Sequence, residues 1–184
     1  KCNEWSKLHM NALIVYGSQY GTTKRYAEQL SEMINLPVIS YEDIKELTEY
    51  DLIVHFGGLY AGGVKGLKRI IKVLGENTQL IIVTVGLADV YDKENTDNIR
   101  KSIRKQVPER ILSNTNIFHL RGGIDYDKLN FKHRTMMNLL YHKVKKIPKE
   151  KMTAETKAMI ETYGTKVDFV DYQSLNQIME AITM

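Results

Sequence analysis

Short apolar runs rich in β-branched residues alternate with segments of helical periodicity along most of the chain. The runs lie at 12–16, 38–41, 51–56, 80–85 and 117–120. Between them, apolar residues recur at three- and four-residue spacing, which is typical of amphipathic helices. Buried strands that alternate with helices indicate a parallel sheet covered on both faces. The sequence therefore predicts an α/β, doubly wound domain with five parallel strands.

Length and composition narrow the class of protein further. The 184 residues fit one domain, predicted over 11–184, and residues 1–10 are interpreted as an N-terminal extension or as residues derived from a vector. The longest near-apolar run, 80–88, has nine residues with Thr84 among them, whereas a membrane-spanning helix needs roughly 18. The single cysteine, Cys2, cannot form an internal disulfide or assemble a zinc or iron–sulfur site, so we predict no metal site and a cytoplasmic location.

One connection is far longer than the others. Residues 124–170 separate the fifth strand from the last helix, whereas ordinary connections have about two to six residues. Its first half is predicted to be an amphipathic helix, and segment 128–151 contains eight Lys or Arg and one acidic residue, a net charge of +7. This basic helix either packs on the sheet with solvated lysines or docks on an anionic membrane surface or an acidic redox partner. Nucleic-acid binding is disfavoured because stacking aromatic residues and a reader motif are lacking.

The loop after the first strand, 17–23, carries hydroxyl side chains, two glycines and no acid. Backbone N–H groups at a helix N-terminus attract anions, so this loop is able to hold a phosphate without a neutralising arginine. A capped turn would use the same residue types. Gly17 and Gly21 do not match a dinucleotide fingerprint, and Gly21-Thr22-Thr23-Lys24 does not match a Walker loop, which argues against NAD and ATP.

Two further loops follow the third and fourth strands, a glycine-rich turn at 57–63 and the segment 86–91. Both combine small residues with apolar ones and a tyrosine. A flat tricyclic ring needs close backbone approach at its edges and apolar contact on its faces, which such loops supply. The next helix is predicted to begin near Val64. No side chain in the chain stands out as a catalytic acid, base or nucleophile.

The segment Ile-Val-Tyr-Gly-Ser-Gln-Tyr-Gly-Thr-Thr at 14–23, with the loops at 57–63 and 86–91, resembles the flavodoxin family. The resemblance implies the strand order 2-1-3-4-5 and FMN as cofactor. It also implies that the first loop holds the FMN phosphate and that the other two flank the ring. The cofactor-binding residues implied are Ser18, Gln19, Tyr20, Gly21, Thr22, Thr23, Gly57, Gly58, Leu59, Tyr60, Gly86, Leu87, Ala88, Asp89 and Tyr91.

Within that family the chain is similar to menaquinone-dependent protoporphyrinogen IX dehydrogenases, through its phosphate loop and its basic insertion after the fifth strand. The resemblance implies a redox protein that transfers electrons to a partner protein or a quinone. Two interpretations stay open. An electron carrier needs no substrate pocket, whereas a quinone-linked dehydrogenase would have a cavity roofed by residues 124–150. A peripheral contact with the inner face of the membrane through helix 128–151 is a further expectation.

Overall fold

The computed structural model describes residues 10–60 and 62–183, so the predicted extension lies almost wholly outside the described residues. The strands are β1 (Ala12–Gly17), β2 (Val38–Ser40), β3 (Leu52–Tyr60), β4 (Gly63–Val64), β5 (Gln79–Gly86), β6 (Thr115–Arg121), β7 (Gly123–Asp125) and β8 (Lys166–Asp168). The helices are α1 (Thr22–Ile34), α2 (Leu67–Val73), α3 (Lys93–Arg104), α4 (Glu109–Leu112), α5 (Phe131–Val144), α6 (Ala154–Glu161) and α7 (Asn176–Thr183).

The main sheet has the strand order β2-β1-β3-β5-β6, and all of these neighbours are parallel. The short β4 pairs antiparallel with the end of β3, through Leu59 opposite Val64. With this hairpin set aside, the order is the predicted 2-1-3-4-5. The α/β, doubly wound fold expected from the sequence is therefore confirmed.

The sheet is covered on both faces because successive residues of each strand point in opposite directions. Ile14 and Val54 pack with Leu30 of α1 and Ile178 of α7. Their neighbours Val15 and Ile53 pack on the other face with Leu67 of α2 and Ile103 of α3. Two separate apolar layers result, which is why the strands read as continuous apolar runs rather than as alternating ones.

The predicted turn at 57–63 and the helix start near Val64 were wrong in their local structure. Gly57 and Gly58 continue β3, where Gly57 lies between Gly17 of β1 and Thr84 of β5. A Cβ on Gly57 would lie 2.9 Å from His55 Nε2 and still closer to Val64 Cγ1. The glycines therefore allow the β4 backbone to pack closely against the end of β3, and they do not form a turn at 57–58. Helix α2 begins only at Leu67.

The insertion begins and ends in a two-stranded antiparallel ladder of its own. β7 and β8 pair antiparallel, with Gly123 opposite Asp168 and Asp125 opposite Lys166. An ion pair between Arg25 Nη1 and Asp168 Oδ2, 2.8 Å apart, joins this ladder to α1. The segment between the two strands is thus anchored at its base beside the first turn of α1.

His55 of β3 is fully buried between two backbone carbonyls. Its Nδ1 lies 3.2 Å from the Val15 oxygen and its Nε2 lies 3.0 Å from the Lys65 oxygen. A neutral imidazole has one N–H, so it donates to only one of the two. Burial lowers the pKa of His55 to about 4, although both carbonyls favour the charged form. The ring is therefore neutral in the folded protein at neutral pH.

This burial predicts a loss of stability in acid. Between pH 6.5 and about 4 the unfolded chain binds a proton at His55 and the folded chain does not, so the free energy of unfolding falls as the pH falls. We expect the wild type to lose about 3 kcal/mol more than a His55→Gln variant over that range, because each pKa unit is about 1.4 kcal/mol. Urea unfolding at pH 7, 5.5 and 4 measures the difference. Parallel stability curves for the two proteins would contradict it.

Candidate functional site

The carboxyl ends of the parallel strands meet at one edge of the sheet, as ligand sites in open α/β sheets do. A cavity of about 540 Å³ lies at this edge. Its wall contains nine of the residues predicted from the sequence, and all three predicted loops contribute to it. These nine are Gln19, Tyr20, Thr22, Thr23, Gly58, Leu59, Tyr60, Gly86 and Leu87.

Other predicted residues lie beside the cavity and support its wall. Ser18 and Gly21 close the first loop, because the Ser18 hydroxyl accepts a hydrogen bond from the Gly21 N–H at 3.0 Å. Gly57 is buried within β3. These three positions therefore set the backbone path of the loops and leave the direct contacts to their neighbours.

The far end of the third loop faces away from the cavity. Ala88 is buried, whereas Asp89 accepts a hydrogen bond from the backbone N–H of Tyr91 at 2.9 Å. The Tyr91 side chain is 93% exposed. The structure thus places this tyrosine, expected from the sequence beside a ring, in solvent.

The first turn of α1 has the features of an anion site. Gly21 precedes it with φ of 90°, and within the described residues no side chain caps the helix. The first N–H groups of a helix have no intrahelical partner, and they carry the positive end of the helix dipole. The Thr22 hydroxyl donates to the Gly123 oxygen at 2.9 Å, which fixes the turn against the start of β7. The chemistry of these donors fits a phosphate.

Two glycines bring backbone to the cavity surface. A Cβ on Gly58 would lie 3.0 Å from Thr23 Oγ1, and a Cβ on Gly86 would lie 2.7 Å from Leu59 Cδ1 and 3.0 Å from Glu155 Oε2. Any larger residue would displace a cavity-lining side chain. Backbone without side chains is what the edge of a flat ring requires, so these positions fit the cofactor predicted for them.

Two buried hydroxyl groups have no hydrogen-bond partner in the described part of the chain, those of Tyr20 and Tyr126. Burial raises the pKa of Tyr20 well above its ordinary value, and the nearby Tyr60 and Tyr126 raise it further. Burial, followed by the neighbouring Tyr163, raises the pKa of Tyr126 to about 12. Tyr20 is among the residues that line the cavity, but its hydroxyl is itself buried.

The insertion forms the roof of the cavity. Met137, Leu140 and Val144 of α5 and Met159 of α6 line it from above. The roof has an apolar cluster of its own, against which Tyr20 and Leu87 of the sheet edge pack. The apolar face of the predicted amphipathic helix is therefore turned towards the cavity.

Three further polar residues at the site were missed by the sequence analysis. The Glu155 carboxylate accepts hydrogen bonds from the N–H groups of Leu87 and Ala88, each at 3.0 Å. Lys65 and His133 both contact the side chain of Gln19. Lys65 lies between β4 and α2, His133 lies in α5 and Glu155 lies in α6. All three are distant in sequence from the loops that they contact, and no local motif marks them.

A family model described as "Flavodoxin domain" matches residues 13–151, three quarters of the chain. The chain belongs to the flavodoxin domain family. This membership confirms the family expected from the sequence and supports FMN as the cofactor of the site.

Solved structures share part of this flavodoxin domain at low sequence identity. A flavoprotein from Lactobacillus acidophilus in complex with FMN is 13% identical, and the match covers 61% of this chain and 92% of that one, with a TM-score of 0.42. A Fusobacterium nucleatum flavodoxin bound to flavin mononucleotide is 11% identical, with coverage of 67% and 75% and a TM-score of 0.43. Oxidised flavodoxin 1 from Bacillus cereus is 13% identical, with coverage of 75% and 99% and a TM-score of 0.39.

Membership of the flavodoxin domain family is shown by the family model alone. A comparison with curated proteins found no match. Among the described residues, the helices are all too short or too polar to cross a membrane.

Proposed function

We propose that this flavodoxin domain binds FMN at the roofed cavity and serves as a redox protein that mediates electron transfer. The observation that carries the proposal is the convergence of all three predicted loops on one cavity. The N–H groups of the first turn of α1 would hold the phosphate, and the backbone around Gly58 and Gly86 would hold the ring. FMN, when bound, accepts and passes on electrons singly or in pairs.

The protein's own residues exclude water and orient the ligand. Leu59, Leu87 and Met159 give the cavity apolar walls, and Tyr20 and Tyr60 line it as well. Such a mixture of apolar surface and a few placed polar groups is typical of cofactor sites. No titratable side chain of the site needs to react for electrons to be transferred.

Titration with flavins tests the proposal. Purified protein is titrated with FMN and with riboflavin, and flavin absorption, flavin fluorescence and heat are recorded. We expect one FMN per chain, with quenched fluorescence and an affinity far above that for riboflavin. The protein is then reduced stepwise to show that the bound flavin takes up electrons reversibly. Absence of heat and of any spectral change with FMN would contradict the proposed function.

A second candidate function is that of a quinone-linked dehydrogenase similar to protoporphyrinogen IX dehydrogenases. The observation that favours it is the roof, since a cavity covered by residues of the 124–150 region is the feature expected of an enzyme. Steady-state turnover with a porphyrinogen as electron donor and a water-soluble naphthoquinone as acceptor tests it. An electron carrier would instead reduce a one-electron protein acceptor and show no turnover with the quinone.

We further propose an anionic membrane surface as a partner of the outer face of α5. Phe131 and Leu139 are 87% and 67% exposed there, two turns apart on the helix. Lysines and arginines surround them, and segment 128–151 has a net charge of +7. Exposed apolar side chains among cations are typical of helices that lie in a lipid interface. Met136, Met137 and Leu140, by contrast, are turned inwards.

Charge reversal within the basic segment 128–151 predicts a loss of vesicle binding. A Lys132→Glu, Lys146→Glu double variant is expected to bind anionic vesicles at least about tenfold more weakly, because each cation near such a surface contributes about 1 kcal/mol. The matched control, Lys68→Glu with Lys72→Glu on α2, changes the net charge equally. Sedimentation with phosphatidylglycerol vesicles at low and high salt measures binding. Equal losses in the two variants, or binding that does not respond to salt, would contradict the docking surface.

A further inference from the structure

The side chain of Gln19, in the predicted phosphate loop, is held between two basic residues. The Lys65 ammonium donates to Gln19 Oε1, and Gln19 Nε2 lies 2.7 Å from His133 Nε2. A lysine only donates, so it must face the amide oxygen, and the amide nitrogen then donates to His133. Nε2 of His133 is therefore the acceptor of this hydrogen bond. Lys65 and His133 together hold both ends of the Gln19 amide.

The backbone holds Lys65 firmly at this place. Its N–H donates to the Gly58 oxygen at 3.0 Å, and its own oxygen lies 3.0 Å from His55 Nε2. The ammonium lies 6.0 Å from the centre of the Tyr41 ring. Lys65 is thus held beside the first loop through both its own N–H group and its own carbonyl oxygen.

The Lys65 charge has no counter-ion in the described part of the chain. The side chain is half-buried, and none of the carboxylates described lies within 4.0 Å of its ammonium. The partners of this partly desolvated cation are a neutral amide and an aromatic ring, so its positive charge is not compensated by a negative one. Its amide partner, Gln19, lines the cavity and adjoins the uncapped first turn of α1. An anion at that turn would supply the missing charge.

We propose that Lys65 supplies the counter-charge that makes the site select a phosphorylated flavin over an unphosphorylated one, with Gln19 and His133 as positioning residues. The proposal rests on the proposed function. It replaces the sequence-based expectation of a phosphate held without help from any cation. The ligand class it predicts is a flavin phosphate monoester, with the ring bound independently of Lys65.

A Lys65→Met variant tests this assignment. Fluorescence titrations give the Kd of FMN and the Kd of riboflavin for each protein. We expect the variant to bind FMN about tenfold more weakly, equivalent to about 1.4 kcal/mol, and riboflavin within twofold of wild type. If Lys65 had a purely structural role, its loss would weaken the binding of both flavins alike. The ratio of the two dissociation constants therefore distinguishes a structural role from recognition of the phosphate.

Three further variants complete the design. Lys65→Arg keeps the charge and should retain most of the preference for FMN, whereas Lys68→Met, a control on exposed α2, should leave it unchanged. His133→Phe removes the acceptor for Gln19 and should lower the preference less than Lys65→Met does. Equal loss for FMN and riboflavin in Lys65→Met, or an unchanged ratio, overturns the inference. Wild type that binds neither flavin overturns the proposed function instead.

Discussion

A Gln19→Glu variant is expected to bind FMN at least about a hundredfold more weakly than wild type while remaining folded. The substitution keeps the shape of the side chain and its contact with Lys65. It adds a negative charge beside the turn that would receive the phosphate. Two like charges about 4 Å apart cost about 4 kcal/mol at an effective dielectric constant of about 20, and each 1.4 kcal/mol is a factor of about ten in affinity.

The effect should be confined to the phosphorylated ligand. Riboflavin has no phosphate to repel, so its Kd is expected to stay within a few-fold of the wild-type value. Gln29→Glu is the matched control, because it makes the same change on α1 away from the cavity lining. Calorimetry with FMN and with riboflavin gives both constants, and urea unfolding shows that the fold persists. Undiminished FMN binding would place the phosphate elsewhere.

A Gly17→Ala variant is expected to lose at least about 3 kcal/mol of stability, since it forces backbone apart. A Cβ on Gly17 would lie 2.7 Å from the carbonyl carbon of Lys65 and closer still to the Lys65 oxygen. That oxygen also faces His55 Nε2, so the hairpin cannot retreat without disturbing a buried contact. The end of β1 and the 65–66 backbone are therefore in direct contact, and only glycine fits between them.

Urea unfolding of the protein without flavin measures this loss. Gly164→Ala provides the control. Gly164 has φ of 75°, but a Cβ there would have nothing within 4 Å, so only backbone strain of about 1 kcal/mol is expected. Similar losses of stability in the two variants would show that the close contact between Gly17 and Lys65 is relieved at little cost in free energy.

The strands were predictable because burial on both faces leaves a strong local signal. Residues 12–16 are apolar throughout and residues 80–85 are apolar except for Thr84, and the structure contains them in β1 and β5. The glycine-rich segment at 57–60 was misassigned because glycine serves two purposes, turns and close packing, that a single sequence does not separate. Only the pairing of Gly57 with both Gly17 and Thr84 shows that packing is the reason here.

The floor of the site was predictable residue by residue, whereas a roof formed by residues 124–150 was expected only under one of the two open interpretations. Loop residues such as Tyr20 and Gly58 follow strands directly, so the rule that ligands lie at the carboxyl edge finds them. Glu155 contacts Leu87 across 68 positions of sequence, and His133 contacts Gln19 across 114. Contacts at such separation depend on how the insertion folds back, and amphipathic periodicity tells which face is apolar but not what that face covers.

The ladder of β7 and β8 closes residues 126–165 at their base, next to α1. The entropy of closing a loop grows only with the logarithm of its length, so a hairpin stem tolerates many different contents. A change in the length of this excursion would therefore cost little entropy at the stem, while Gly58 of β3 and Gly86 of β5 keep their places. The fold thus separates a floor, formed at the strand ends, from a cover whose chain enters and leaves through one stem.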